Sequence, residues 1–306
     1  MLSRDDYSRT SPPPGWWPVM LTPYTAAGGI DFDALDRLTD WYLEHGASGL
    51  FAVCGSSEMY RLSAEERHAY LTRVTRRVGF RAPVAATSAF TRDVRAAADQ
   101  VRAVHDAGAT VAVLIPALLA APDESDDVLT SRIGEILSET SGELGLYECP
   151  GPYHRLVPES AFSVAVGSGR FTFGKDTCRD ATVVRQRCVQ AHGSRLRWMT
   201  ADLAKLLMVL ESGGAGYCGI AGNCIPDMIK RLCDVYAAGD MEAARALSET
   251  LTRLNVAAHT GYSTTARIIL AARGVPITPV SRSRMSAALT AEELGAVSTL
   301  LEAENG

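Results

Sequence analysis

The sequence predicts a TIM-type (β/α)₈ barrel followed by a C-terminal helical appendage. Two observations carry this expectation. Eight short apolar, β-rich runs recur roughly 20 to 35 residues apart, and amphipathic segments of helical period lie between them. Short buried strands alternating with helices imply parallel βαβ units, and eight such units imply closure into a barrel rather than an open sheet.

The expected strands cover residues 17–21, 49–53, 84–87, 111–115, 145–148, 171–174, 196–199 and 216–220. A helix over 32–45 opens at Asp31, whose carboxylate suits an N-cap. A second over 64–78 opens at Ser63, with Glu66 three residues on, which is a capping box. Segments 91–107 and 201–212 carry the same period. Beyond about residue 230 the chain reads as helical only, over 234–257, 264–273 and 290–303. Gly274-Val275-Pro276 stops the second of these, and Thr290 with Glu293 caps the third. The expected organisation is a loose N-terminal arm (1–15), a barrel (16–230) and a helical region (231–306).

Composition narrows the function classes. Of the 306 residues, 47% are hydrophobic and 21% charged, a globular balance. A net charge of −5 argues against nucleic acid as the main partner. No apolar stretch is long enough to span a membrane, and residues 1–15 lack the apolar core of a secretory leader. Seven cysteines, an odd number with no CxxC pair, fit a reducing cytoplasm better than a disulfide framework. Only three of the 30 basic residues are lysines: Lys175, Lys205 and Lys230. Arginine holds a charge but forms no Schiff base, so an amine nucleophile has three places to be.

A barrel does its chemistry at the C-terminal ends of its strands. The second strand ends in Cys54-Gly55-Ser56-Ser57-Glu58, which reads equally as an anion cradle or as a tight turn. The fifth ends at Tyr147, a residue that can face the mouth or the wall. The sixth ends at Lys175. A lysine closing an apolar strand is partly desolvated, which favours the free amine that attacks a carbonyl. The competing reading is a lysine that is exposed, or salt-bridged with Asp176 as the candidate partner. Lys205 and Lys230 fall in helical patterns, where solvated lysines are expected. Tyr147 precedes Lys175 by 28 residues, one βα repeat, so the two belong on adjacent strands. A phenol beside an amine can shuttle the proton that imine formation requires. The segment 213–226, around the eighth strand, is dense in glycine, which lets backbone approach a ligand.

Cys54, Cys149, Cys178 and Cys218 all fall near strand ends, and four thiolates suit zinc. Cysteine is more commonly a small buried filler, and the six histidines show no HxH or HxxxH spacing, so no metal and no cofactor is expected. His154 reads as an exposed loop residue.

Together these segments resemble the dihydrodipicolinate synthase / N-acetylneuraminate lyase family, the class I lysine aldolases. The resemblance runs from about Gly15 to the C-terminus. It rests on Leu21-Thr22-Pro23-Tyr24, Gly55-Ser56-Ser57-Glu58 followed by Leu62-Ser63-Ala64-Glu65-Glu66, and Tyr147-Glu148-Cys149-Pro150. It continues through Gly174-Lys175-Asp176, the 213–226 segment with Asn223, and Leu289-Thr290-Ala291-Glu292-Glu293. The resemblance implies that Lys175 forms a Schiff base with pyruvate or a related 2-oxo acid and that Tyr147 is the acid/base. It also implies that Gly55, Ser56 and Ser57 bind the keto-acid carboxylate, with the backbone near Cys218 facing the substrate. An aldehyde co-substrate and a homotetramer or homodimer are implied as well.

The departures bear on specificity. The family's loop is usually Gly-Thr-Thr-Gly-Glu. Aligned on Glu58, it sets Gly55 and Ser56 on the threonines. Aligned on Gly55, it sets Ser56 and Ser57 there at the cost of a deletion. A second tyrosine after the fourth strand is replaced within Pro116-Ala117-Leu118-Leu119, and an arginine after the fifth by Pro152, with Arg155 out of register. Glu148 stands where asparagine is common, which points to a different second substrate. The expected function is a lyase or aldolase, or a dehydratase, distinct from true dihydrodipicolinate synthase. The alternative is a retired keto-acid-binding or regulatory protein of the same fold.

Overall fold

The computed structural model describes residues 14–286 and 288–305. Most of the expected arm at 1–15 therefore lies outside the described residues. Gly15 itself belongs to the first strand.

Eight parallel strands form one sheet in the order β1-β8-β7-β6-β5-β4-β3-β2. They are β1 (Gly15–Trp16), β2 (Leu50–Phe51), β3 (Val84–Thr87), β4 (Val111–Leu114), β5 (Glu143–Tyr147), β6 (Phe171–Asp176), β7 (Arg197–Thr200) and β8 (Gly216–Tyr217). The sheet closes where the chain after β1 meets β2. Val19 bridges Phe51, and the Phe51 N–H donates to Pro18 O at 3.0 Å. The fold is the expected TIM barrel.

Helices α1 (Phe32–Glu44), α2 (Ala64–Val78), α3 (Val94–Asp106), α4 (Pro116–Leu119), α5 (Asp126–Glu139), α6 (Glu159–Ser168), α7 (Ala181–Ala191) and α8 (Leu206–Glu211) follow the first seven strands. The capping box of α2 forms as expected, between Ser63 and Glu66. α3 starts later than its apolar period because Asp93 caps it, accepting from Ala96 N at 2.8 Å. The helical pattern over 234–257 is two helices, α9 (Pro226–Ala237) and α10 (Met241–His259). Gly239 turns left-handed at φ +81°, and Asp240 caps the new helix through Ala243 N, so the break has a local cause. α9 packs against β1 and runs through residue 230. α11 (Thr264–Ala272) and α12 (Ala291–Asn305) complete the appendage on α10.

Two buried shells share the work. The interior holds Trp17, Phe173, Phe51 and Tyr147, in that order, in a chain of rings whose successive centroids are 5.1 to 5.4 Å apart. The outer shell packs strands on helices α3, α5, α6 and α7, with Phe162 edge-on to Trp198 at 4.9 Å. A register shift decides which β6 residues face which shell. Leu144 pairs with Phe171 but Gly145 pairs with Phe173, so Thr172 is an extra residue. Phe171 joins the outer shell, while Phe173 turns inward. Gly174 then backs onto Trp198, where a Cβ would overlap the indole ring.

Barrel closure at the other seam depends on Gly216. Its φ is +120°, and a Cβ there would overlap the Gly15 carbonyl on the paired strand. Gly216→Ala is expected to cost about 3 kcal/mol or more through strain and loss of that pairing. The measurement is the urea midpoint, and an unchanged midpoint would refute this account of the seam.

Candidate active site

β-strand alternation places Lys175 on the interior face of β6, one residue beyond Gly174. It is 5% exposed and sits directly across from Tyr147 of β5 in the ladder. Its Nζ lies 4.4 Å from the centre of the Tyr147 ring and 5.8 Å from that of Phe51. Among the described residues Lys175 has no carboxylate partner. Lys205 is paired with Asp202, and Lys230 with Asp234 at 2.5 Å. Lys175 is thus the one buried lysine, over an aromatic floor.

Asp176 takes no part in that site, contrary to the salt-bridge reading. Its side chain points outward, accepting from Trp198 Nε1 at 2.8 Å and from Cys178 N at 2.7 Å. Glu148 also faces out. It is fully buried, accepts from Val157 N and Thr177 N, and pairs with Arg187 of α7 at 2.5 Å. The Arg187 guanidinium also lies 3.6 Å from Asp176. Glu148 therefore braces the barrel wall.

The loop after β2 is braced mainly from the appendage. Ser57 is fully buried and its hydroxyl is committed to backbone, accepting from Cys54 N at 3.1 Å and lying 2.9 Å from Met20 O. Glu58 adopts a left-handed φ of +58°, and its carboxylate accepts from Ser283 N at 2.7 Å and Ser283 Oγ at 2.8 Å. Fully buried Arg267 reaches Thr22 O at 2.9 Å and Glu58 at 3.5 Å. Ser56 is only partly buried, and its Oγ accepts from Tyr262 at 2.8 Å. The N–H groups of Gly55 and Ser56 have no backbone acceptor among the described residues. The Ser56 N–H faces the Cys54 thiol, and the Ser57 hydroxyl is spent on the loop itself. Gly55 abuts the candidate acid: a Cβ built on it would stand 3.4 Å from the Tyr147 hydroxyl.

Burial holds the Tyr147 phenol well above its ordinary range, so it is a proton donor at neutral pH. Cys54 and Cys218 are buried thiols that feel the Lys175 charge. Burial outweighs that charge in both and pushes Cys218 up to about 12. The Cys218 N–H is used by Thr200 O at 2.8 Å. Cys178 lies in the outer shell, apart from the others. Among the described residues no group of three His, Cys, Asp or Glu side chains is arranged to hold a metal.

The rim over β2 to β5 carries aromatic and aliphatic side chains, with the Arg67 guanidinium stacked 4.1 Å over the Phe90 ring. Ala117 and Leu118 pack with the interior shell, whereas Leu119 turns to the outer one. Tyr60 donates to Gly151 O at 2.6 Å and stands edge-on to Phe90. Tyr153 donates to Ala120 O. Arg155 is consumed by the carbonyls of Ala121 and Glu124 and by Asp126, and His154 contacts Thr177 Oγ1 at 2.8 Å. Sequence reasoning missed Arg187, Tyr60, Tyr42 and Tyr262. Arg187 looks like any charged helix residue. Tyr262 meets Ser56 across 206 residues, with no local signal.

The outer cluster makes stability depend on pH. Burial, reinforced by Glu148, lifts the Asp176 carboxyl from 3.8 to about 6. Between those values the native state holds a proton that the unfolded chain has lost, so this group's contribution to stability falls as pH rises from about 4 to 6. Asp176→Asn is expected to remove that slope, gaining on the parent across the window. Parallel slopes in urea unfolding at pH 4 and 6.5 would contradict it.

Comparison with known proteins shows the family of the chain. The chain is 27% identical over 273 residues to 4-hydroxy-tetrahydrodipicolinate synthase 1 of Streptomyces coelicolor, covering 88% of this chain and 87% of that one. It is 28% identical over 247 residues to the 4-hydroxy-tetrahydrodipicolinate synthase of a Jannaschia species, covering 80% and 83%. A solved prophage protein of the dihydrodipicolinic acid synthase family from E. coli K12, in complex with pyruvate, superimposes with a TM-score of 0.83 at 21% identity, covering 95% and 98%. The model of the dihydrodipicolinate synthetase family matches residues 13–304, and the chain belongs to that family.

Proposed function

We propose that this protein is a Schiff-base-forming lyase of the class I aldolase type, acting on pyruvate or a related 2-oxo acid through Lys175. The observation that carries this reading is a single buried lysine without a counter-ion, paired in register with a buried tyrosine. The pyruvate complex of the E. coli relative supports the keto-acid class.

In this reading the 2-oxo acid carboxylate sits against the Ser56 hydroxyl and the Gly55 N–H. Ser57 stiffens the loop, and Cys218 lines the opposite side. The Lys175 amine attacks the keto carbon to give a carbinolamine. Tyr147, held protonated by burial, gives its proton to the departing hydroxyl, and water leaves. The resulting iminium draws electrons from the neighbouring carbon, whose C–H or C–C bond can then break. Nothing in this sequence requires a cofactor.

The rim of Ala117, Leu118, Tyr60, Phe90 and Tyr153 favours an aryl or alkyl aldehyde over a carboxylate-bearing one as second substrate. Free cysteines, seven in all and each buried, fit the cytoplasm. Among the described residues no helix is long and apolar enough to cross a membrane. A homotetramer is the assembly the family resemblance favours. A second reading is a retired keto-acid-binding protein, favoured by Leu118 in the segment where a second tyrosine is expected.

Borohydride trapping decides between them. Pyruvate with borohydride is expected to add one covalent adduct at Lys175, located by peptide mass, while Lys175→Arg keeps the fold and gives none. Binding without any adduct favours the retired protein. In turnover assays, benzaldehyde-type acceptors are expected to exceed aspartate semialdehyde by about 10-fold in kcat/KM, the worth of roughly one apolar contact. Equal or better use of the semialdehyde rejects the apolar-rim assignment.

A further inference from the structure

A chain of hydrogen bonds runs from α1 to the loop after β2, and its direction is set by its chemistry. Asn223 is fully buried beyond β8, and its Nδ2 donates to Val19 O at 3.0 Å. A carbonyl only accepts, so the amide nitrogen must face it. Oδ1 then faces Tyr42, whose fully buried phenol donates to it. The remaining Nδ2 proton goes to the phenolic oxygen of Tyr262 at 3.0 Å. Having accepted there, Tyr262 has one proton left to give, and Ser56 Oγ lies 2.8 Å away. Ser56 is therefore an acceptor on its Tyr262 side, and its own proton has no acceptor among the described residues. That unspent donor sits next to Gly55, which abuts the Tyr147 hydroxyl.

From this polarity we infer that Tyr262 is a positioning residue that commits the Ser56 hydroxyl to donate toward a carboxylate, and so selects 2-oxo acids over uncharged ketones. The inference rests on the keto-acid reading of the site given above. A carboxylate accepts only, and a hydrogen bond to it is stronger than one between neutral groups. A hydroxyl free to rotate would offer its lone pairs as readily as its proton, and would serve a neutral amide as well as an acid. Tyr42 and Asn223 hold the polarity from behind. Tyr262 delivers it, from the connection between α10 and α11.

The test measures the half-saturating concentration for borohydride trapping with pyruvate and, separately, with uncharged pyruvamide. Tyr262→Phe is expected to raise the pyruvate value roughly 10-fold and to move the pyruvamide value less than about 2-fold, the size of one hydrogen bond to a charged group. Ser56→Ala, a change in a partly exposed loop hydroxyl, is expected to give the same selective loss, and the double variant to lose little more. An unchanged pyruvate value in Tyr262→Phe overturns the inference while leaving the keto-acid reading intact. Equal weakening of both ligands also overturns it, because that is what a merely structural tyrosine would do. Should Tyr262→Phe fail to fold, Ser56→Ala alone decides: loss of acid selectivity upholds the donor role and its absence ends it. A parent protein that traps neither ligand brings down the keto-acid reading together with the inference.

Discussion

Arg187 holds two buried carboxylates on the outside of the barrel, and the arrangement of the interior depends on it. Tyr147 and Lys175 face inward on neighbouring strands, so the residues that follow them, Glu148 and Asp176, must face outward. Each is fully buried there. A lone buried carboxylate is costly, and two side by side are worse, so the guanidinium between them is required rather than ornamental. It also ties α7 to the ends of β5 and β6, which fixes the register in which tyrosine and lysine meet. The extra residue at Thr172 sets the parity, and Arg187 makes that parity affordable.

The second constraint comes from the appendage. The loop after β2 contributes Gly55 and Ser56 to the mouth, but its shape is set elsewhere. Glu58 is gripped by Ser283, Arg267 spans to Thr22, and Tyr262 reaches Ser56. The helices beyond the barrel are thus part of the candidate site. A loop that must keep donors aimed at an anion cannot be left to its own turn propensity, and the appendage supplies the missing contacts.

The interior also shows how one environment treats different groups. Desolvation disfavours charge on Tyr147, Cys54 and Cys218 alike, so the phenol stays a donor and the thiols stay thiols. That leaves Lys175 as the group there whose chemistry suits a carbonyl.

Some of this was legible in the sequence. Apolar periodicity marked seven of the eight strands, with β3 correct at both ends, but set the first at 17–21, just past the Gly15–Trp16 pair that enters the ladder. The Ser63–Glu66 box marked α2 correctly at both ends, because a capping box is a local device. Gly239 and Asp240 were there to be read, yet the apolar period running across them hid the break. The spacing of Tyr147 and Lys175 by one βα repeat put them on adjacent strands, since barrel topology converts that spacing into contact. What the sequence did not reveal was direction. Glu148 and Asp176 looked like rim residues, and only the packed wall with Arg187 turned them outward. Ser56 and Ser57 were indistinguishable as neighbours in a string. Tertiary contacts to Met20 and Ala52 on one side, and to Tyr262 on the other, decided which hydroxyl is spent and which is free. Period and spacing are carried by residues near in sequence. The commitment of a hydrogen bond depends on which partner the packed chain brings within reach, 37 residues away for Ser57 and Met20 and 206 for Ser56 and Tyr262, and only the folded chain decides it.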